Sequence, residues 1–240
     1  PPFEKGPWVR EITLAPRAQN EEAAELRPHV CSPTSLAMVL EHWGLRRKTA
    51  EVAAAVRDGV SDVYGNWPLN IAAASAWGLS GQAARLPSLL ELQEEIAAGR
   101  PVVASITFKK GELSGSPVEK TRGHLLVVSG FTASGDVIVN DPAASSRGSV
   151  RRVYRRAEFE SAWLGNKHGL AYILAERFPE EMAVGVPTAD LRTRPREPRK
   201  LSVDDPGMSS QLLYGERVRV LEARGEWARV EALEQPYETK

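Results

Sequence analysis

The stretch Cys31-Ser32-Pro33-Thr34-Ser35-Leu36-Ala37-Met38-Val39-Leu40-Glu41-His42-Trp43-Gly44 sets the terms for the rest of the chain. Ser32 reads as an N-cap and Pro33 suits a first helical position. Leu36, Val39, Leu40 and Trp43 then recur at i, i+3, i+4 and i+7 until Gly44 stops the helix. Cys31 therefore stands at a helix mouth, where exposed amides and the positive end of the dipole favour a thiolate and can donate to a developing oxyanion. It is the only cysteine in 240 residues. Composition alone would make a lone cysteine a small buried hydrophobe. Its position argues for a nucleophile, which also needs a base within reach and a group to orient that base.

Four histidines can supply the base. His42 lies near the end of the Cys31 helix and reads as surface or cap. His29 is two residues from Cys31 on the same strand or loop, and His168 sits in the turn Gly165-Asn166-Lys167-His168-Gly169. His124 differs, because it opens the strand His124-Leu125-Leu126-Val127-Val128 straight after Gly123. An ionisable group heading an apolar strand is costly to bury unless paired, although a satisfied strand-end histidine is the bland alternative. The turn Ala133-Ser134-Gly135-Asp136 links that strand to Val137–Asn140, and a hairpin would set the start of one strand beside the end of the other. Asp141 then falls next to His124 as an orienter. Asp141-Pro142 is equally a common way to begin a turn, and Asn140, on the other face by strand alternation, is the weaker choice. Gln19, in Ala18-Gln19-Asn20, lies upstream of the helix, and its spacing alone says little.

Working outward, Trp8–Ala15 reads as a short strand and Pro16–His29 as a polar loop. Thr49–Arg57, Pro68–Ala76 and Ser88–Ala98 read as helices. Val102–Phe108, His124–Phe131, Val137–Asn140, Arg151–Arg155 and Leu170–Ala175 read as strands, with a short helix at Glu158–Leu164. Helices first and sheet second is an α+β order, and this domain spans residues 1–177. Residues 178–207, with Pro179, Pro187, Pro195, Pro198 and Pro206 among mixed charges, read as a linker. In residues 208–240 the pieces Leu212–Tyr214, Val218–Leu221 and Trp227–Val230, separated by Gly215-Glu216 and Gly225-Glu226, suggest a small barrel. The chain stops before such a barrel would close, which reads as a truncated module and leaves room for a further domain after Lys240.

The bulk numbers exclude several classes. Lys+Arg 31 balances Asp+Glu 31, which removes a global electrostatic argument for nucleic acid or anionic membrane. A hydrophobic fraction of 42% suits a packed core, and no apolar run approaches the roughly 18 residues of a membrane span. One cysteine makes neither an internal disulfide nor a Cys-rich zinc or iron–sulfur site. The chain opens on Pro1-Pro2 without an initiator Met, so it reads as processed, with any targeting segment outside it. No metal or organic cofactor is implied.

Three motifs together resemble a known family. Cys31-Ser32-Pro33-Thr34-Ser35-Leu36-Ala37-Met38, Gly123-His124-Leu125-Leu126-Val127-Val128 and Val139-Asn140-Asp141-Pro142-Ala143 resemble, in order, the double-glycine-leader peptidase-like family of papain-like cysteine peptidases from bacteria. Gly65-Asn66-Trp67-Pro68-Leu69-Asn70 looks like a secreted branch of it, and the likeness spans roughly residues 8–177. The resemblance implies a papain-like fold with Cys31 as nucleophile, His124 as general base and Asp141 as orienter. It also implies an oxyanion glutamine before the cysteine, and Gln19 is the only one upstream. The chain departs from the family's leader peptidases in having Cys31-Ser32 where they have Cys-Gly, and in the 12 positions that separate Gln19 from Cys31. The tail from Gln211 to Val230 is similar to bacterial SH3 modules, which accompany cell-wall peptidases.

These likenesses imply amide hydrolysis through a thioester, a peptide or peptidoglycan-type substrate, and a secreted or periplasmic setting at the cell envelope. A transglutaminase or amidase would use the same triad, and a catalytically silent wall-binding module is the alternative of a different class. The loop Lys109–Arg122 has no readable pattern for specificity.

Overall fold

Three helices come first: α1 (Cys31–His42), α2 (Thr49–Val56) and α3 (Trp67–Ala76). β1 (Leu79–Arg85) and α4 (Leu89–Ala97) lead into the central strands β2 (Val102–Phe108), β3 (Thr121–Phe131), β4 (Val137–Asn140) and β5 (Arg151–Tyr154). α5 (Arg156–Glu160) runs on into a π-helical turn at Ser161–Gly165, and β6 (Leu170–Glu176) ends the series. The computed structural model describes residues 6–177, 181–194, 207–224 and 226–235. The chain divides into two compact units, Pro1–Arg177 and Phe178–Lys240.

The first unit is an α+β structure around one six-stranded sheet in the order β1-β6-β2-β3-β4-β5, with every neighbouring pair antiparallel. Nearly every residue of β2, β3 and β4 is buried, so these strands read as continuous apolar runs where a half-exposed sheet would alternate. α1 is likewise buried from Ser32 to Leu40 without a break, so the apolar stripe is part of a helix enclosed on all sides.

Four local expectations need correction. Ser32 is not the N-cap: the helix begins at Cys31 with Val30 as cap, and Pro33 is its third residue. A proline is tolerated there because first-turn amides have no intrahelical acceptor to lose. Ser32 instead turns its hydroxyl sideways to Asn70 Oδ1 at 2.9 Å. β1 was not foreseen; only Leu79 of its seven residues is buried, and an edge strand with one face in water carries little apolar signal. The segment expected as a strand at Trp8–Ala15 makes a single bridge, Glu11 to Gly130. β2 begins opposite Val128, leaving the last residues of β3 open on that side, and Arg10 and Ile12 fill the gap with bonds to Phe131 and Ser129.

The fourth correction is in the stretch expected as a linker. Met182–Ala183 (β7) and Thr188–Arg192 (β8) are strands of the second unit, with β9 (Met208–Leu213), β10 (Arg217–Arg224) and β11 (Trp227–Ala232). β7 and β11 flank β10, and β8 pairs β9. Pro187 sits between β7 and β8, where it interrupts no ladder and its carbonyl accepts from the Tyr214 amide. Leu212, Val218 and Ala232 form a small core here. Pro1-Pro2, Pro179, Pro195, Pro198, Pro206 and Gly225 lie outside the described residues.

Gly130 tests the packing of the N-terminal segment. A Cβ there would collide with the Arg10 carbonyl oxygen and lie 2.8 Å from Glu11 Cα. Gly130→Ala is expected to destabilise the protein by about 2 kcal/mol in chemical denaturation. Unchanged stability would mean that residues 10–12 do not press on β3.

Candidate active site

Cys31 is the first residue of α1 and is partly exposed. Pro33 has no amide hydrogen and the Thr34 amide already donates to Val30, so the amides of Cys31 and Ser32 are left at the helix mouth. The hydroxyl of Ser35 donates to the Leu125 carbonyl at 3.1 Å, which ties α1 to β3 beside His124. His124 is buried, and its Nε2 lies 2.7 Å from Asp141 Oδ1. That leaves Nδ1 for the Cys31 thiol, with which the ring also hydrogen-bonds. His124 thus interacts with both Asp141 and Cys31.

The register explains the meeting. Val127 pairs with Asn140, so Asp141 continues opposite Leu126, and His124 is the next residue on the same side of β3. The Asp141 amide carries the β4–β5 register one step further, donating to the Val150 carbonyl at 2.8 Å, and its side chain is completely buried. Two further groups serve its oxygens. The Tyr154 hydroxyl donates to Oδ2 at 2.7 Å and the Ala143 amide to Oδ1 at 2.9 Å. Asn140 faces away and donates to Met38 Sδ at 3.8 Å.

Burial alone would push the Cys31 thiol pKa up. The hydrogen bond and charge of His124, with backbone hydrogen bonds from Leu125 and Ser32, outweigh it and hold the thiol below its usual value. Burial pulls the His124 imidazole down, but the charge and hydrogen bond of Asp141 and those of Cys31 raise it to about 10. Burial would raise the Asp141 carboxyl, and the charge and hydrogen bond of His124, with the Tyr154 and Ala143 donors, hold it below the ordinary carboxylate range. The arrangement therefore favours a thiolate beside an imidazolium, the charge state of an attacking sulfur with a proton donor at hand.

The other histidines do not join this arrangement. His42 lies about 16 Å along α1 from Cys31, where its Nε2 meets the Gly99 carbonyl at 3.1 Å and burial lowers its pKa. His29 is exposed, and so is His168, in a turn with φ 53°. Gln19 lies in a 3-10 turn at Gln19–Glu21. Its backbone amide donates to the Pro142 carbonyl at 2.8 Å, which places the turn against the Asp141 loop. One side-chain N–H goes to the Arg27 carbonyl at 2.6 Å, leaving a second.

Sequence reasoning missed two supports. One is Tyr154, whose strand Arg151-Arg152-Val153-Tyr154 reads as charged surface; the single aromatic among arginines was the only signal. The other is the buried cluster beside Cys31, in which Ser32 Oγ meets Asn70 Oδ1 and lies 3.3 Å from the Tyr172 hydroxyl.

The model of the Peptidase_C39 like family matches residues 11–170. The chain belongs to this family. It is a cysteine peptidase, and the tail of the peptidase, residues 202–238, matches the bacterial dipeptidyl-peptidase Sh3 domain. Three solved structures are similar to it. A double glycine motif protease from an AMS/PCAT transporter, crystallised with the leader peptide, shares 18% identity at a TM-score of 0.47, covering 70% of this chain and 94% of that one. The peptidase domain of Streptococcus ComA, a bi-functional ABC transporter, shares 19% at 0.48, covering 69% and 99%. A C39-like peptidase from Bacillus anthracis shares 19% at 0.49, covering 68% and 95%. No curated protein matches the chain.

Tyr154 supplies a direct test of the Asp141 environment. Asp141 has a depressed folded pKa, so its contribution to stability is present above the unfolded value of 3.8 and is lost as pH falls through the folded value. Tyr154→Phe removes a donor, which raises that folded value. The expected result is a stability loss of about 1–2 kcal/mol at neutral pH and an acid-unfolding midpoint moved to higher pH. An unmoved midpoint would show that the hydroxyl does not act on the carboxylate.

Proposed function

We propose that the peptidase hydrolyses a peptide or amide bond through a Cys31–His124–Asp141 triad and a thioester. One observation carries the reading: His124 is hydrogen-bonded to Asp141 at 2.7 Å and acts on the Cys31 thiol, by charge and hydrogen bonding, in the sense that favours the thiolate. Cys31 Sγ attacks the substrate carbonyl carbon, and the His124 imidazolium gives its Nδ1 proton to the departing amine. Water then attacks the thioester, His124 takes its proton, and the thiolate leaves to restore the starting state. Asp141 holds the ring through Nε2 and stabilises its charge. The Cys31 amide at the helix mouth and the second N–H of Gln19 hold the oxyanion.

A setting at the bacterial cell envelope, with secreted or periplasmic location and a peptidoglycan-type peptide as substrate, rests on the match of the tail to a bacterial peptidase Sh3 domain. None of the described helices is long and apolar enough to cross a membrane. The tail would then act as the positioning module of the peptidase.

The pH dependence of thiol chemistry tests the triad. Cys31 is expected to react with iodoacetamide at pH 6–7 faster than a free thiol, and His124→Ala to move that reactivity to higher pH. Activity should rise on the acid side as the thiol ionises below 9.0, and fall on the alkaline side as His124 loses its proton towards about 10. Cys31→Ala abolishes turnover, and Asp141→Asn is expected to lower kcat by about 100-fold or more. A Cys31 no more reactive than free cysteine would defeat the reading.

A further inference from the structure

The β2–β3 hairpin that carries His124 also carries an unneutralised cluster of cations. A groove of about 650 Å³ opens at the end of this hairpin, lined by Thr107, Lys109, Glu112, Lys120, Arg122 and Asn166 among others. Its floor is fixed. Asn166 donates to the Thr107 carbonyl at 2.9 Å, and the Thr107 hydroxyl donates to the Arg122 carbonyl at 2.8 Å. The register on β3 shifts between Ile106 and Phe108, so Arg122 and Gly123 together oppose Thr107, immediately beyond the Ile106–His124 pair. The Cα of Arg122 is therefore about 7 Å from that of His124 along the strand. Lys167 Nζ lies 3.8 Å from where a Cβ on Gly123 would stand.

Among the described residues, none of Lys109, Lys120, Arg122 and Lys167 has a carboxylate partner, and the first three are exposed. Of the neighbouring acids one is paired, and the other, Glu112, is the single carboxylate among four groove and rim cations. Glu119 pairs with Lys110 at 3.1 Å, and Glu112 accepts from the Lys109 backbone amide at 2.7 Å. In a chain with 31 basic and 31 acidic residues, this is a local surplus of positive charge beside the reactive residues. Such a surplus raises the local concentration of anionic groups and fixes the orientation of a ligand that bears them.

We propose that this groove receives a carboxylate of the substrate, so that the peptidase prefers acidic peptides. The inference rests on the peptidase reading of Cys31 and His124 and adds to it the chemical class of the substrate. The carboxylate can belong to an Asp or Glu side chain or to a peptide C-terminus.

The test uses the full chain and one peptide series with Glu or Gln at positions flanking the cleaved bond, each made as free acid and as C-terminal amide. Binding is measured on Cys31→Ala and cleavage on the active protein. Glu peptides or free acids are expected to bind about tenfold more tightly than their neutral counterparts, as a few partly screened ion pairs would give. Whichever substitution removes the preference identifies the source of the carboxylate. High salt and the variant Lys109→Glu/Lys120→Glu/Arg122→Glu should each abolish it, while the neutral peptide changes less than about twofold. Equal binding of acidic and neutral peptides, or a preference that survives charge reversal, overturns the proposal. Preferential binding without any cleavage would leave the groove standing and count against the peptidase reading alone.

Discussion

Taking a carboxylate and an imidazole out of water together is unfavourable unless the remaining lone pairs and protons are met inside the protein, and most of the first unit can be read as the means of meeting them. Asp141 is completely buried and accepts from His124, Tyr154 and the Ala143 amide. Each donor comes from a different place: the middle of the sheet, its far edge, and the loop after β4. Removing one partner of such a buried pair typically costs about 3–5 kcal/mol, because the other is left charged and alone. The pair is therefore a condition on how β3, β4 and β5 pack as much as a chemical device.

Strand register is the second condition. β3 carries one extra residue against β2 near Arg122 and another against β4 near Ser129. His124 lies between these two irregularities. Bulges of this kind turn a strand and re-aim its side chains. The rest of the sheet is regular enough to bury β2, β3 and β4 on both faces, and α1 brings Cys31 to the same point through the Ser35 bond to Leu125.

The parts of this structure that were legible in the sequence are those with strong apolar periodicity. Val102–Phe108 and Val137–Asn140 occur with the bounds read from the sequence, and α1, α2, α3 and α4 within a residue or two. His124 and Asp141 could be paired in advance because a hairpin with a short turn constrains which ends meet. β1 was illegible because its partner, β6, supplies the order that its own composition lacks. β7 and β8 were hidden among prolines, whose count signals an extended chain without saying whether another strand pairs with it. Tyr154 could not be found because its role depends on a contact with Asp141 across the structure.

The turn that holds Gln19 is stitched to the loop after Asp141 at several points. The Gln19 amide reaches Pro142, Asn20 reaches the carbonyls of Ala143 and Ala144, and Glu21 pairs with Arg147. The backbone of Gln19 is thus held by residues more than a hundred positions downstream, while its side chain is held by the Arg27 carbonyl on the way to Cys31. Lengthening a surface loop carries only a small entropic penalty when its two ends are anchored independently. The segment from Glu22 to Val30 can therefore change in length while both anchored ends keep their places, provided a carbonyl still meets the Gln19 side chain as that of Arg27 does.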